Sequence, residues 1–306
     1  MAQTLLQLVN QAQSELGITA SATVISNTTQ SVIQQLNIIN GLGQDLAREW
    51  EWNGINKEYR FTTVYYQYTA TTTSGNTTIT ALSSTTGLTS TPTYFTVTGS
   101  GINQDTTLVS VDSGASTAVL SQAPTASGTV TLTFSQTKYA FPSDFDRLVD
   151  RTEWDKSDHW ELLGPASGQQ WQFLKSGYIA TGPRARFRPL GSLFQVWPSI
   201  SSNLYFGFEY ISNQWVGVST PLTLSKSAFT IDTDVCVFND RLMIEGLKYR
   251  FSMSVGLPWE GHKANYDRLL SIAKSADAGN QILSMAQWRG QRLISMDNIP
   301  DSGYGS

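Results

Sequence analysis

Apolar residues near the N-terminus follow a helical period. They recur at steps of three and four: Leu5, Leu8, Val9, Ala12 and Leu16. This spacing places them on one face of a helix, which is then expected to be buried. Thr4 and Gln7 have the spacing of a capping box, and Gly17 is a residue type that ends helices. The pattern predicts a first amphipathic helix.

A second helical pattern follows a polar stretch. Its apolar stripe runs over two to three heptads: Val32, Leu36, Ile39, Gly43, Leu46 and Trp50. Such a stripe is typical of a helix that packs along another helix. Asn27 and Gln30 fit a cap at its start. Because a glycine inside a helix costs about 1 kcal/mol relative to alanine, Gly41 and Gly43 predict the close approach of a neighbouring helix.

The pattern changes to short strands in the middle of the chain. Tyr59–Tyr68 predicts a strand, because it is rich in aromatic and β-branched residues. Five further strands are predicted between Gly, Pro, Asn and Ser turns: Thr77–Leu82, Tyr94–Thr98, Thr106–Val111, Thr117–Ser121 and Thr129–Phe134. Threonine makes up 21 of the 71 residues across 66–136, and no basic residue occurs between Arg60 and Lys138. This composition predicts an inserted all-β module at 67–136, a small sandwich or barrel.

The helical period returns after the module. Pro165–Leu174 predicts a short helix, and three strands of a meander are expected next: Arg184–Pro189, Ser192–Pro198 and Leu204–Ile211. Ile231–Asp234 is expected to be extended. Longer helices are predicted at Asn239–Val255 and His262–Ala278, with further helix at Gln281–Arg292 and disorder at Asp297–Ser306. The host, 1–66 and 137–306, is therefore predicted as α+β, a helical bundle with a β-domain and a C-terminal tail from about 279.

Composition narrows the function classes. Charged residues make up only 14% of the 306 residues, which indicates a surface covered in part by other subunits. The formal net charge is −4 and no basic run occurs, so tight nucleic-acid binding is not expected. No apolar run has the roughly 20 residues of a membrane span. The N-terminus has no signal-peptide pattern. A soluble protein made in a cytoplasm is expected.

Few residues suggest a catalytic or metal-binding site, and each of them also has an explanation as a structural residue. His159 has acidic neighbours that would suit a metal or acid–base role, but the edge of a polar strand is favoured. His262 is expected to be solvated, and the two histidines lack metal-ligand spacing. Asp232 and Asp234 form a DxD that could hold a divalent cation, but a role in capping is favoured. Cys236 is the only cysteine and is expected to be a buried apolar residue. We therefore expect no metal, no cofactor and no enzyme activity.

Several segments in a fixed order resemble a known family. They are WEWN at Trp50–Asn53, YAFPSDFDRLVD at Tyr139–Asp150, GPASGQQWQFL at Gly164–Leu174, a strand-rich stretch at Phe187–Val216, and DTDVCVFNDRLMIEGLKYRF at Asp232–Phe251. A long helix with Tyr266 follows. Together they resemble the head-to-tail adaptor proteins of tailed bacteriophages, also called head-completion or tail-tubular-A-like proteins. The module lies where members of that family have a short connection, and it resembles the small Ig-like β-sandwich modules of phage structural proteins. Its role stays open between outer decoration, contact with fibres and weak glycan binding.

The resemblance implies a structural protein of the virion. Members form a ring, usually of twelve copies, that binds the portal protein and extends the DNA channel. The ring docks the next tail component, a nozzle or tail tube, and fibres are a further candidate partner. The ring assembles in the host cytoplasm, and DNA passes without specific binding. On this hypothesis the stripe from Val32 to Trp50 packs between subunits. The tail is expected to anchor to the portal through five residues: Trp288, Arg289, Arg292, Leu293 and Ile294.

Two other classes stay open on the sequence. The first is a fibre-associated or receptor-binding tail protein that uses the β-module as an adhesin. The second is a carbohydrate-active enzyme with an accessory β-module. A glycosidase needs two carboxylates across a cleft, and the sequence nominates no such pair.

Overall fold

The protein has a mixed α+β fold. A computed structural model describes residues 2–176, 184–219 and 222–277. The helices are α1 (Leu5–Glu15), α2 (Gln30–Glu49), α3 (Gly168–Lys175), α4 (Asp240–Val255) and α5 (Glu260–Asp277). The strands of the first half are β1 (Asn56–Thr62), β2 (Tyr65–Thr72), β3 (Thr78–Ile79), β4 (Phe95–Gly99), β5 (Leu108–Asp112), β6 (Thr117–Leu120), β7 (Gly128–Gln136), β8 (Lys138–Ala140) and β9 (Phe145–Leu148). The others are β10 (Trp154–Asp155), β11 (Trp160–Glu161), β12 (Arg186–Leu190), β13 (Leu193–Trp197), β14 (Tyr205–Ser212), β15 (Val216–Ser219), β16 (Leu222–Lys226) and β17 (Val235–Cys236).

Local signals in the sequence located the helices well. Thr4 and Gln7 form the predicted capping box of α1. Asn239 caps α4 with its side chain, and Gly256 ends α4 in the left-handed conformation. The short helix α3 also starts with a capping box, between Ser167 and Gln170. The predicted cap of α2 is wrong, because the N-cap is Thr29 and its side chain makes no capping bond.

Helices α1, α2, α4 and α5 share one hydrophobic core with β15, β17 and the end of β14. Val32, Ile39, Gly43 and Leu46 are buried in this core, so the chain itself uses most of the stripe of α2. Leu36 is partly buried, and Trp50 is 37% exposed. Packing of this stripe between subunits stays a prediction, but only its exposed members are free for it.

The host strands form three antiparallel sheets. The order is β1-β14-β10-β11 with β9 also paired to β14, then β12-β13-β8, then β16-β15-β17. The predicted meander is wrong, because β12 and β13 form a hairpin in one sheet while β14 lies in another. The predicted strand Tyr59–Tyr68 is divided at Thr63-Val64, where β1 of the host ends and β2 of the module begins. Ile231–Asp234 contains a turn rather than extended chain.

The module has its own core, formed by residues between Val64 and Phe134. All five predicted strands in it overlap observed strands. They form two three-stranded sheets, β2-β7-β4 and β3-β6-β5. Isolated bridges Thr71–Thr80 and Thr96–Thr107 join the two sheets along both sides. The six strands therefore close into a small barrel, which differs from the open edges of an Ig-like sandwich.

The two ends of the module lie side by side. The amide of Gln136 donates to the carbonyl oxygen of Val64 at 2.8 Å. Tyr139 of the host completes the junction, because its hydroxyl accepts from the amide of Val64 and donates to the carbonyl oxygen of Gln136. The host chain thus leaves and re-enters at one point.

Candidate interaction surfaces

Asp144 joins two of the segments that carry the family resemblance. Its carboxylate accepts hydrogen bonds from the Tyr210 hydroxyl at 3.0 Å, the Ser212 hydroxyl at 2.8 Å and Lys57 Nζ at 2.6 Å. Burial alone would raise the pKa of Asp144, but Lys57, Ser212 and Tyr210 hold it below its usual value. The segments Tyr139–Asp150 and Phe187–Val216 therefore meet at a buried polar centre of the host.

The DxD turn docks the N-terminal helix. The backbone oxygens of Asp234 and Asp232 accept from the amides of Leu5 and Leu6, the first two residues of α1. The Asp232 carboxylate accepts from the amides of Val24 and Ile25. Asp234 is buried and pairs with Lys226 at 2.7 Å. The carboxylates and backbone oxygens of Asp232 and Asp234 are therefore bonded to other groups of the protein.

A second charged cluster lies between α1 and α4. Glu15 contacts Arg241 and Lys248, and buried Glu245 contacts the same two residues. Burial opposes ionisation of Glu15, but hydrogen bonds from Arg241 and Lys248 lower its pKa to about 2. His262 is half-buried with Nδ1 3.3 Å from Glu245, which corrects the expectation that it is solvated.

The other candidate residues lie apart. His159 is exposed in the turn between β10 and β11. Cys236 is buried, and burial raises the pKa of its thiol to about 12, as expected for a packing residue. Over the described ranges, no three or more His, Cys, Asp and Glu side chains are grouped as metal ligands.

Two apolar surfaces remain on the helical body. One is a groove of about 450 Å³ beside the C-terminal half of α5, whose lining includes Trp52, Val237, Leu269, Ile272 and Ala276. The other lies where α2 and α4 meet, since Gln34 donates to Ser254 at 2.9 Å. Exposed hydrophobic residues lie within three sequence positions of that pair: Ile33, Met253, Val255 and Leu257. We name this second surface the α2/α4 patch.

The predicted anchor residues lie outside the described part of the chain. They are Trp288, Arg289, Arg292, Leu293 and Ile294. The predictions for Gln281–Arg292 and Asp297–Ser306 lie outside it too. The described chain ends at Asp277, one of the residues that line the groove.

A basic cluster appears where α3 covers the sheet β12-β13-β8. Phe187 of β12 enters the host core, so Arg186 and Arg188 lie on the opposite face. The register pairs Arg188 with Gln195, and Gln195 with Lys138. Lys175 of α3 lies over the ring of Trp197, 5.5 Å from its centroid. We name Lys138, Lys175, Arg186 and Arg188 the seam cluster.

The seam cluster does not correspond to a run of basic residues in the sequence. One sequence signal for the cluster is the alternation of arginines in RARFR at Arg184–Arg188. Alternate residues of a strand lie on the same face of the sheet. Lys138 is 37 residues before Lys175 in the chain, so only the fold shows that both join the cluster.

No family model matches the chain, and no curated protein matches it. Across the described residues, no helix combines the length and apolar character needed to cross a bilayer.

Proposed function

We propose that the chain is a head-to-tail adaptor subunit, which forms a ring of twelve copies between the portal and the next tail component. The observation that carries the proposal is the meeting of the resembling segments at Asp144, which accepts bonds from Tyr210 and Ser212. Segments that are separate in the sequence thus form one host body. The β-module leaves this body at a single point and interrupts none of its sheets.

The exposed apolar surfaces suit the contacts that a ring requires. A ring subunit needs two different surfaces, because a head-to-tail contact repeats with rotation until the ring closes. The α2/α4 patch offers exposed apolar side chains, with Met253 58% and Val255 53% exposed. The groove along α5 offers another, and Ile272 within it is 53% exposed.

The mass of the assembled particle tests this proposal. Native mass spectrometry of connectors released from virions should give a ring of about twelve times the 33.6 kDa subunit, and electron microscopy should place it below the portal. The free protein is expected to stay monomeric until the portal templates the ring. A trimer attached to fibres would contradict the proposal.

The alternative role as a receptor-binding tail protein is favoured by one face of the module. The paired strands β2 and β7 present a row of hydroxyl groups, with Thr69, Thr129 and Thr131 exposed and Thr71 half-buried. Thr71 and Thr129 lie within hydrogen-bond distance at 3.4 Å. Such an uncharged hydroxyl face suits sugar hydroxyls. Binding of the isolated module to a glycan array would support this role, and attachment to fibres would decide for it.

A further inference from the structure

The seam cluster concentrates positive charge in a chain that otherwise pairs its charges. Of the 18 lysines and arginines in the described ranges, 12 form ion pairs with carboxylates. The side chains of Arg186 and Arg188 form neither an ion pair nor a hydrogen bond with any described residue. Among the described residues, one carboxylate pairs with the cluster: Asp105 of the module, 2.7 Å from Lys175 Nζ.

The four charges are held in fixed positions. Arg186 and Arg188 are two residues apart on one strand, which separates their Cα atoms by about 6.6 Å. Lys138 lies two strands away from Arg188, about 9.6 Å across the sheet. A Cβ added at Gly168 would lie 3.5 Å from Nη2 of Arg188, so α3 borders the guanidinium.

Like charges held this close are unfavourable without an anion. Lys138 donates to the carbonyl oxygen of Thr93 at 3.0 Å but has no carboxylate partner among the described residues. Burial, and then the charge of Lys175, lowers the pKa of Lys138. A bound anion would relieve this repulsion, because opposite charge favours the protonated amine.

We propose that the seam cluster binds phosphate groups of a nucleic-acid backbone. Arginine presents a planar fork of donors that matches a phosphate with two parallel hydrogen bonds. A backbone carries one charge per nucleotide at regular intervals, which suits arginines fixed on a strand. The contacts are to phosphates alone, so they are independent of base sequence.

The small number of basic residues in the seam cluster limits its affinity for DNA. Two arginines and two lysines, one of them paired with Asp105, allow three to four phosphate contacts by this count. Non-specific binding of this kind is weak at physiological salt. Such contacts agree with DNA that passes without specific binding. Phosphate binding by the seam cluster does not depend on ring formation, so an experiment can refute either proposal without refuting the other.

A charge-matched pair of double variants tests the proposal. Fluorescence anisotropy with a labelled duplex of about 20 base pairs is measured on the full chain over a salt series. Arg186→Gln with Arg188→Gln should weaken binding at least tenfold and lower the slope of log K against log salt by about two. The control, Arg151→Gln with Arg268→Gln, removes two exposed arginines outside the cluster that form no ion pair with described residues. It should change the affinity less than twofold.

Three results would overturn the proposal. These are no measurable binding by the unchanged protein at low salt, an equal loss in both double variants, and displacement of the labelled DNA by poly-glutamate at a lower charge concentration than unlabelled duplex requires. The last result would assign the cluster to an acidic protein segment instead. Circular dichroism of both variants checks that they remain folded.

Discussion

The indole ring of Trp215 occupies the space that a side chain at Gly43 would need. A Cβ built on Gly43 would overlap the ring, while one built on Gly41 meets no atom within 4 Å. Trp215 is fully buried and packs edge-on against Phe229, with ring centroids 5.2 Å apart. Gly43 is therefore closely approached, as predicted, but the approaching group is Trp215, which follows β14, and not a neighbouring helix.

The two glycines of α2 should respond oppositely to the same substitution. Gly43→Ala should lower the free energy of unfolding by about 1–3 kcal/mol, because Trp215 must move out of a packed core. Gly41→Ala should raise it by about 0.5–1 kcal/mol, because alanine suits a helix interior better than glycine. Urea unfolding of both variants measures the difference. Equal effects would mean that Trp215 does not constrain Gly43.

Acid should destabilise the host through Glu15. Its pKa is lowered to about 2 in the folded chain by hydrogen bonds from Arg241 and Lys248, against the opposing effect of burial. A lowered pKa gives stability that is present above about pH 4.5 and is lost as the pH falls towards 2. Because Glu15 is partly solvated, we expect a loss of only about 1 kcal/mol. Glu15→Gln should flatten the fall in unfolding free energy between pH 5 and pH 2 by about that amount.

Glu153 should show the opposite sign. It is buried, and burial, then the charges of Asp150 and Glu161, raises its pKa. Its ionised form therefore destabilises the folded chain at neutral pH, and this cost disappears as the pH falls. Glu153→Gln should raise the midpoint of thermal unfolding at pH 7. An unchanged or lower midpoint would show that the carboxylate has favourable partners.

The module should be separable from the host. Replacing 65–135 with a short Gly/Ser linker should leave the host folded, because Val64 and Gln136 are already joined by a hydrogen bond. The residues 64–137 alone should fold as a barrel with its own core. Circular dichroism and thermal unfolding of both pieces measure this. Insoluble host protein would place the boundary elsewhere.

A boundary at Gln67 provides the matched comparison. Excision of 67–136 leaves Tyr66 on the host, although its ring belongs to the module and lies 5.9 Å from that of Phe95. The host without 67–136 should be less soluble than the host without 65–135, because the Tyr66 ring would no longer be packed in the module core.

The tail should attach the chain to portal-bearing heads, if the adaptor proposal is correct. Trp288→Ala with Arg292→Ala should leave the monomer folded and reduce attachment, because tryptophan and arginine often dominate interface energies. Truncation after Gly279 should abolish attachment. Sedimentation of heads incubated with each variant measures occupancy. Normal occupancy of the truncated chain would move the anchor to the N-terminal helices.

Most elements follow from local sequence, because their causes are local. The capping box at Thr4, the cap at Asn239 and the stop at Gly256 act within one turn of a helix. Five of the six strands of the module follow from short β-branched runs between turn residues. The change in composition between Arg60 and Lys138 likewise marks the module without knowledge of any contact.

The partners of these elements depend on residues far apart in the chain. Two isolated bridges close the module, the stripe of α2 is buried within its own chain, and Trp215 rather than a helix meets Gly43. Asp144 reaches Lys57 across 87 positions. Pairing and packing are chosen by the free energy of the whole core, so only the tertiary structure could decide them. For the same reason, no run of basic residues in the sequence predicts the cluster that Arg186 and Arg188 of β12 form with Lys138 and Lys175.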